Sequence, residues 1–468
     1  MIYFHRLRLF FKYRFDQIKN PRLRLGILQA IPFWIASIIV GLFTVLYTKL
    51  FFYAEEGMHW LYNWHKWFIF IQIPVFMIIG WWLVQRFAPY ARGSGIPQVM
   101  AATDLVEHKP GTAIEKLLSI KVAIVKVISS LFMAVGGAAI GREGPTIQIS
   151  ASIFSYINKL IPKSWPKLKR SNMIVAGAAA GLAAAFNTPL GGIVFAVEEL
   201  SKTHVSFYRT ALFSGVIIAG LTAQGLLGPY LYLGFPDVSG TSWHILFAVI
   251  LVAIAGGLAG SFLCKLIVKI IRWKERVFTK KSQHILFIVI CASILSTITF
   301  LIKNTTINGS GKEIMLHLLF TNDKVMPWYV FPLRVLGPLL SFTSGGAGGV
   351  FAPGLAAGAS LGAIIGNWFH LVPADINLLI LAGMVAFLTG ITRTPFTSAI
   401  LVLEMTDRHS VIFYLMLAGM MAGLASLLID KHSFYDHLKH DFLHDFKKHE
   451  EPVVNISPDE DEKVVEVN

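Results

Sequence analysis

The chain has 468 residues, of which 55% are hydrophobic and only 15% charged. A soluble domain carries about a quarter charged residues, so this composition, with its repeated apolar runs near 20 residues, excludes a soluble globular protein and places the chain in a bilayer. The net charge of +14 would also suit nucleic acid, but basic residues sit at the membrane edges and follow the positive-inside rule. The apolar runs are continuous, not alternating, so helices and not β-barrel strands satisfy the backbone in hydrocarbon. Cys264 and Cys291 lie inside apolar stretches and read as small buried hydrophobes, with no disulfide or metal spacing.

In chain order, residues 1–25 are basic, with Arg6, Arg8, Lys12, Arg14, Lys19, Arg22 and Arg24 against Asp16. Interleaved Leu, Phe and Tyr predict an amphipathic helix on the cytoplasmic face. No cleavable secretory signal is expected ahead of the first span. That span is predicted from about Gly26 to Tyr47 and the second from about Trp67 to Phe87. Beyond them Gly and Pro interrupt the apolar runs at Gly93–Pro97, Gly141–Pro145, Pro189–Gly192, Gly345–Pro353 and Pro395. Pieces such as Thr146–Leu160 and Pro189–Leu200 are too short to cross a bilayer at 1.5 Å per residue. Broken helices at membrane depth are tolerated where they line an enclosed or wet cavity, as in transporter cores.

The order of elements repeats. Around 115–200 come Gly141-Arg142-Glu143-Gly144-Pro145, the small-residue helix Ala176–Ala185, Asn187-Thr188-Pro189-Leu190 and a helix ending in Glu198-Glu199. Around 330–406 come Gly349-Val350-Phe351-Ala352-Pro353, Ala382–Leu388, Thr392-Arg393-Thr394-Pro395-Phe396 and a helix ending in Leu403-Glu404-Met405. This divides the chain into a first transmembrane repeat at 26–227, a linker at 228–242 and a second repeat at 243–440. The polar remainder, 441–468, is rich in acids and expected to be disordered and cytoplasmic.

Several breaks carry chemistry. In Gly93-Ser94-Gly95-Ile96-Pro97 the glycines permit positive φ, Pro suits a first helical turn, and Ser94 falls where an N-cap would. Its hydroxyl and the free amides beside it form an anion site, the alternative being a plainly capped helix. Glu143 lies in a similar break. An intramembrane carboxylate is costly unless satisfied or protonated, so it is a functional candidate; a surface pair with Arg142 is the alternative. Four glycines around 345–349 bare the backbone so that the Val350 and Phe351 amides can face a ligand, unless they serve only close packing. Adjacent helical residues point about 100° apart, so Glu198 and Glu199 cannot share one role. Tyr435 offers a hydroxyl or serves as an interfacial anchor. His437, His440 and His444 share a helical face, read as a solvated amphipathic helix in preference to a metal site. No phosphate loop, zinc-protease motif or nucleophile elbow is present.

Taken together and in order, Gly93–Pro97, Gly141–Pro145, Gly349–Pro353 and Tyr435 resemble the CLC family of chloride channels and proton-coupled chloride transporters. Gly177–Asn187 with Pro189, Ile193–Glu199 and Leu401–Asp407 support the resemblance, which runs from about residue 25 to 440. The resemblance implies an all-α polytopic membrane protein built as an inverted repeat of two halves with broken, re-entrant helices, the CLC chloride channel fold. It implies anion coordination by Ser94 and Tyr435 hydroxyls and by Val350 and Phe351 amides, with Gly93 also among the anion-binding residues. Glu143 is implied as the external gating glutamate and Glu199 as the internal proton glutamate. Family channels typically have a non-acidic residue at the position of Glu199, so exchange of chloride against protons is expected over passive conduction. A voltage- or proton-gated chloride channel of the same fold is the alternative. An intramembrane enzyme would need a nucleophile–base or metal pair at membrane depth, and none is found. Ser94, where nitrate-preferring relatives have Pro, favours chloride. The resemblance further implies no cofactor, chloride and protons as substrates, a homodimer in the lipid bilayer, and no nucleic acid. Missing cystathionine-synthase-like regulatory domains point to a prokaryotic inner (plasma) membrane, with both termini cytoplasmic.

Overall fold

A computed structural model describes residues 19–108, 112–162, 165–166, 168–200, 209–228, 231–239 and 243–448. The predicted amphipathic helix at 1–25 therefore lies largely outside the described residues, and Pro21 already opens the first membrane helix. The first half contains α1 (Pro21–Trp64), α2 (Ile69–Phe87), α3 (Ile96–His108), α4 (Thr112–Leu117), α5 (Ile120–Val135), α6 (Glu143–Leu160), α7 (Arg170–Phe186), α8 (Pro189–Phe195) and α9 (Arg209–Leu227). The second contains α10 (Trp243–Val277), α11 (Lys281–Ile302), α12 (Lys312–Phe320), α13 (Val330–Thr343), α14 (Phe351–Trp368), α15 (Pro373–Thr392), α16 (Pro395–Thr406) and α17 (Ile412–Ser426). A final helix, α18 (Phe434–Lys448), follows. Seven helical stretches among the described residues are long and apolar enough to cross a membrane.

The first helix differs from the expected 22-residue span. α1 runs unbroken for 44 residues, on the order of 66 Å at the helical rise, about twice the hydrocarbon thickness. Nothing in 48–64 breaks it, since its only internal proline is Pro32.

The repeat takes physical form as a two-fold relation. α6 packs on α7 as α14 packs on α15, and α1 packs on α9 as α10 packs on α17. Small residues allow the close approach: a Cβ on Gly358 would lie 2.1 Å from the Gly383 carbonyl oxygen, and one on Gly383 would lie 2.2 Å from that of Gly358. Two contacts join equivalent positions of the halves. Gly141 and Gly349 exchange N–H···O bonds of 2.8 Å each, an antiparallel bridge. A bridge of one break with its own counterpart is what an inverted repeat allows. The second contact is a reciprocal cap. Glu404, near the end of α16, accepts from the amides of Leu190 (3.0 Å) and Gly191 (2.6 Å) at the start of α8. Glu198, just beyond α8, accepts from the amides of Phe396 (3.3 Å) and Thr397 (2.7 Å) at the start of α16. Each carboxylate thus satisfies orphan donors at the positive end of the other helix. Asn187 and Arg393, which end α7 and α15, both adopt the left-handed conformation, with φ of 58° and 63°.

The end of the chain corrects one expectation. Residues 441–448 are helical, part of α18, so the boundary drawn at 440 falls inside a helix. Charge counting missed an apolar stripe: Phe442 and Phe446, four residues apart, are buried, and Phe446 stacks on Tyr90 at 5.0 Å. Asp441 also accepts a forked pair of bonds from Arg272 (2.9 and 3.2 Å). Residues 449–468 of the expected disordered tail lie outside the described residues. Cys264 and Cys291 are buried and free.

Candidate functional site

The three glycine-rich breaks meet at one place in the core. Gly93 N–H donates to the Gly346 carbonyl (2.9 Å), and Gly348 N–H donates to that of Gly93 (3.1 Å). With the Gly141–Gly349 bridge, these bonds tie together the starts of α3, α6 and α14. Gly93 and Gly95 have φ of +64° and +110°, which favours glycine. Three helix N-termini therefore converge, each with amides that its own helix leaves unsatisfied and with the positive end of its dipole.

Ser94, Glu143, Val350, Phe351 and Tyr435 are brought together here, and all are buried. α3 starts at Ile96, so Ser94 lies one residue ahead of the cap and not at it. Its hydroxyl is thereby released from capping its own helix. Ser94 Oγ and Tyr435 Oη face each other closely enough to interact, yet neither finds an aligned hydrogen-bond partner in the protein. Two such buried hydroxyls side by side suit a small acceptor. The Tyr435 ring lies nearly parallel to Phe351, centroids 6.3 Å apart. Val350 stands at the cap of α14 and Phe351 in its first turn.

Glu143 occupies the first position of α6 and is 1% exposed. Its carboxyl group lies near its own amide and that of Ala352 in the first turn of α14, yet Oε2 makes no aligned hydrogen bond in the protein. An acidic side chain thus stands at the N-termini of both helices. Around it stand Arg142, Lys312 and Glu55, all within electrostatic reach. Arg142 also donates to the Thr48 carbonyl (3.4 Å). An open vestibule bordered by Arg92, Lys274, Glu275 and His284 reaches Gly93 and Ser94.

The two adjacent glutamates separate as helical geometry requires. Glu198 is committed to capping α16. Glu199 lies in the π-helical turn Ala196–Leu200 that continues α8, is 4% exposed, and is within electrostatic reach of Tyr435. Wide turns of this kind often mark functional positions. Sequence reasoning missed Lys126. Its buried ammonium donates to the carbonyls of Ala91 (2.8 Å) and Gly93 (2.8 Å), fixing the loop that carries Ser94. A lysine inside the apolar α5 was the available signal.

A helical membrane protein of two inverted halves, with broken helices whose N-termini converge in the core, belongs to the secondary transporter and channel class. The family described as "Voltage gated chloride channel" matches residues 75–427, and the chain belongs to this family. Relatives include two proteins named H(+)/Cl(-) exchange transporter ClcA from Klebsiella pneumoniae strains. One is 28% identical over 388 residues, 82% of this chain and 80% of the relative. The other is 29% identical over 391 residues, with the same coverage. Among solved structures, a slow cyanobacterial Cl-/H+ antiporter superimposes with TM-score 0.74 at 24% identity, covering 88% of this chain and 98% of that one. A CLC-type fluoride/proton antiporter gives 0.73 at 20%, covering 90% and 99%. At these identities the structural likeness is one of fold.

Proposed function

We propose that the protein is a secondary active antiporter that exchanges chloride against protons, with Glu143 as its gate. The observation that carries this reading is the position of the Glu143 carboxylate on the same helix N-termini that Ser94, Phe351 and Tyr435 surround. A carboxylate and a chloride ion compete for those donors, so one excludes the other. Protonation removes the charge of Glu143, weakens its hold on the amides and opens the path to anions. Chloride reaches Ser94 through the vestibule, while Arg142 and Lys312 raise the anion concentration around Glu143. Glu199, buried within electrostatic reach of Tyr435, passes protons between the interior and Glu143. The chloride/proton exchangers among the relatives support this reading.

The reading extends to a homodimer in the inner membrane with both termini in the cytoplasm. Exposed apolar side chains on α8, α9, α16 and α17, among them Leu190, Leu221, Phe396 and Leu424, suit lipid or a second copy. Cross-linking in vesicles across α9 and α17 should trap a dimer; monomers alone would refute that extension.

The decisive test uses reconstituted vesicles with a chloride gradient and an ionophore-clamped voltage. Uphill proton movement driven by chloride is expected. Chloride flux without proton movement would replace exchange by passive conduction. Glu143→Ala should abolish proton coupling and keep chloride flux. Glu199→Gln should stop protons alone.

A further inference from the structure

The segment joining the repeats brings a side chain onto the gate. Residues 231–239 are tied along the second half. Leu233 N–H donates to the Met405 carbonyl (3.0 Å). Asn377 Nδ2 donates to the Asp237 carbonyl (2.7 Å), and the Ser239 hydroxyl donates to Asp375 (2.8 Å). Tyr232 is consequently buried, 2% exposed. Its ring meets Phe186 edge to face, centroids 5.0 Å apart at 81°. The Lys312 ammonium lies 4.6 Å from its centroid and the Arg142 guanidinium carbon 6.0 Å. Held this way, the phenol presents its hydroxyl to Glu143 Oε1 at 3.5 Å.

We infer that Tyr232 is a positioning residue for the gate: its hydroxyl donates to the charged, docked Glu143 carboxylate and so sets the pH at which the gate opens. The inference rests on Glu143 being the gate. A phenol suits this role because it donates without bringing a charge that would hold chloride. Two nearby cations draw on the ring's electron density and strengthen the O–H as a donor. A hydrogen bond to a carboxylate weakens when the carboxylate is protonated. Tyr232 therefore discriminates between the two states of the gate, which is the condition for shifting a population. The other charged or titratable groups facing Glu143 are Arg142 beside it, Glu55 and Tyr47 on α1, Lys312 on α12 and Tyr435 on α18. All remain in a Tyr232→Phe variant, which keeps the ring and removes only the hydroxyl.

The test measures chloride flux against pH in vesicles holding the full chain, for the original protein, Tyr232→Phe, Glu143→Gln and the double variant. The 3.5 Å separation is long for an O–H donor, so an effect of modest size is expected. The midpoint of the Tyr232→Phe profile should move about half a unit to higher pH, a factor of about three. Calorimetric chloride affinity at pH 7.5 should tighten by a similar factor of about three, because the carboxylate competes less well. In the Glu143→Gln background the added Tyr232→Phe change should do nothing. An unmoved midpoint and affinity in Tyr232→Phe, with pH dependence lost in Glu143→Gln, overturns the role of Tyr232 alone. A shift that persists in the Glu143→Gln background overturns it too. Retained pH dependence in Glu143→Gln removes the gate itself.

Discussion

Gly144→Ala displaces the Ser94 hydroxyl without replacing any residue proposed to hold chloride. A Cβ on Gly144 would lie 2.2 Å from Ser94 Oγ, 3.2 Å from Ser94 Cβ and 3.0 Å from the Ser94 carbonyl oxygen. Ordinary contact begins near 3.4 Å, so the hydroxyl must retreat by about 1.2 Å. The least costly retreat is a χ1 rotation that takes Oγ out of its place beside Tyr435, since the Gly93 amide and carbonyl are both hydrogen-bonded and hold the backbone. A hydrogen bond to a charged group contributes about 1.5–3 kcal/mol, so chloride affinity should fall by about 10- to 100-fold. Stability should fall by about 1–3 kcal/mol from overpacking, because Gly144 lies in the first turn of α6, where little helix propensity is regained. Calorimetric chloride titration in detergent, paired with thermal unfolding, separates the two effects, and Ser94→Ala should reproduce the affinity loss. An affinity within twofold of the original in a folded Gly144→Ala protein would refute the reasoning, because the hydroxyl would then not meet the anion.

Other substitutions probe the frame. Glu198→Gln and Glu404→Gln each remove a carboxylate from a helix N-terminus and should lower stability by about 1–3 kcal/mol apiece. The two melting temperatures should fall by similar amounts, and a large inequality would argue against the two-fold equivalence of the caps. Lys126→Met keeps the apolar stem but leaves the Ala91 carbonyl without the ammonium. It should weaken chloride binding by about tenfold or more through a loosened Ser94 loop, and unchanged binding by calorimetry would show that the loop holds without it. Asp430, in the turn before α18, is held below the usual carboxylate range: burial opposes the charge, but the His432 amide and His437 bonds outweigh it. Its stabilisation is present above the ordinary aspartate pKa and lost as pH falls through the lowered value. The melting-temperature loss caused by Asp430→Asn should therefore be largest near neutral pH and shrink as pH falls through the acid range, and a loss independent of pH would exclude the charge as the cause.

How much was legible follows from how local each signal is. Gly93–Pro97, Gly141–Pro145 and Gly349–Pro353 could be read as helix starts because a glycine break, a proline in the first turn and an exposed amide are properties of five consecutive residues. The parallel order of the Thr188-Pro189 and Thr394-Pro395 breaks was visible for the same reason. Glu198 and Glu199 were known to diverge, since helical geometry separates neighbours, but which one would be spent as a cap depended on a helix some 200 residues away. The α18 boundary was misjudged because charge dominates residues 441–448 in composition, while burial of Phe442 and Phe446 depends on Tyr90.

Sequence alone determined the membrane class, the repeat and the residues rich in donors, since hydropathy, backbone freedom and side-chain chemistry travel with the residues themselves. Tertiary structure alone decided which of those residues meet. It set Gly141 against Gly349 across a two-fold axis, placed Lys126 beneath the Ser94 loop, and brought Tyr232, from a segment read as a connector, onto Glu143. These pairings depend on how helices pack, and no short window of sequence contains both partners.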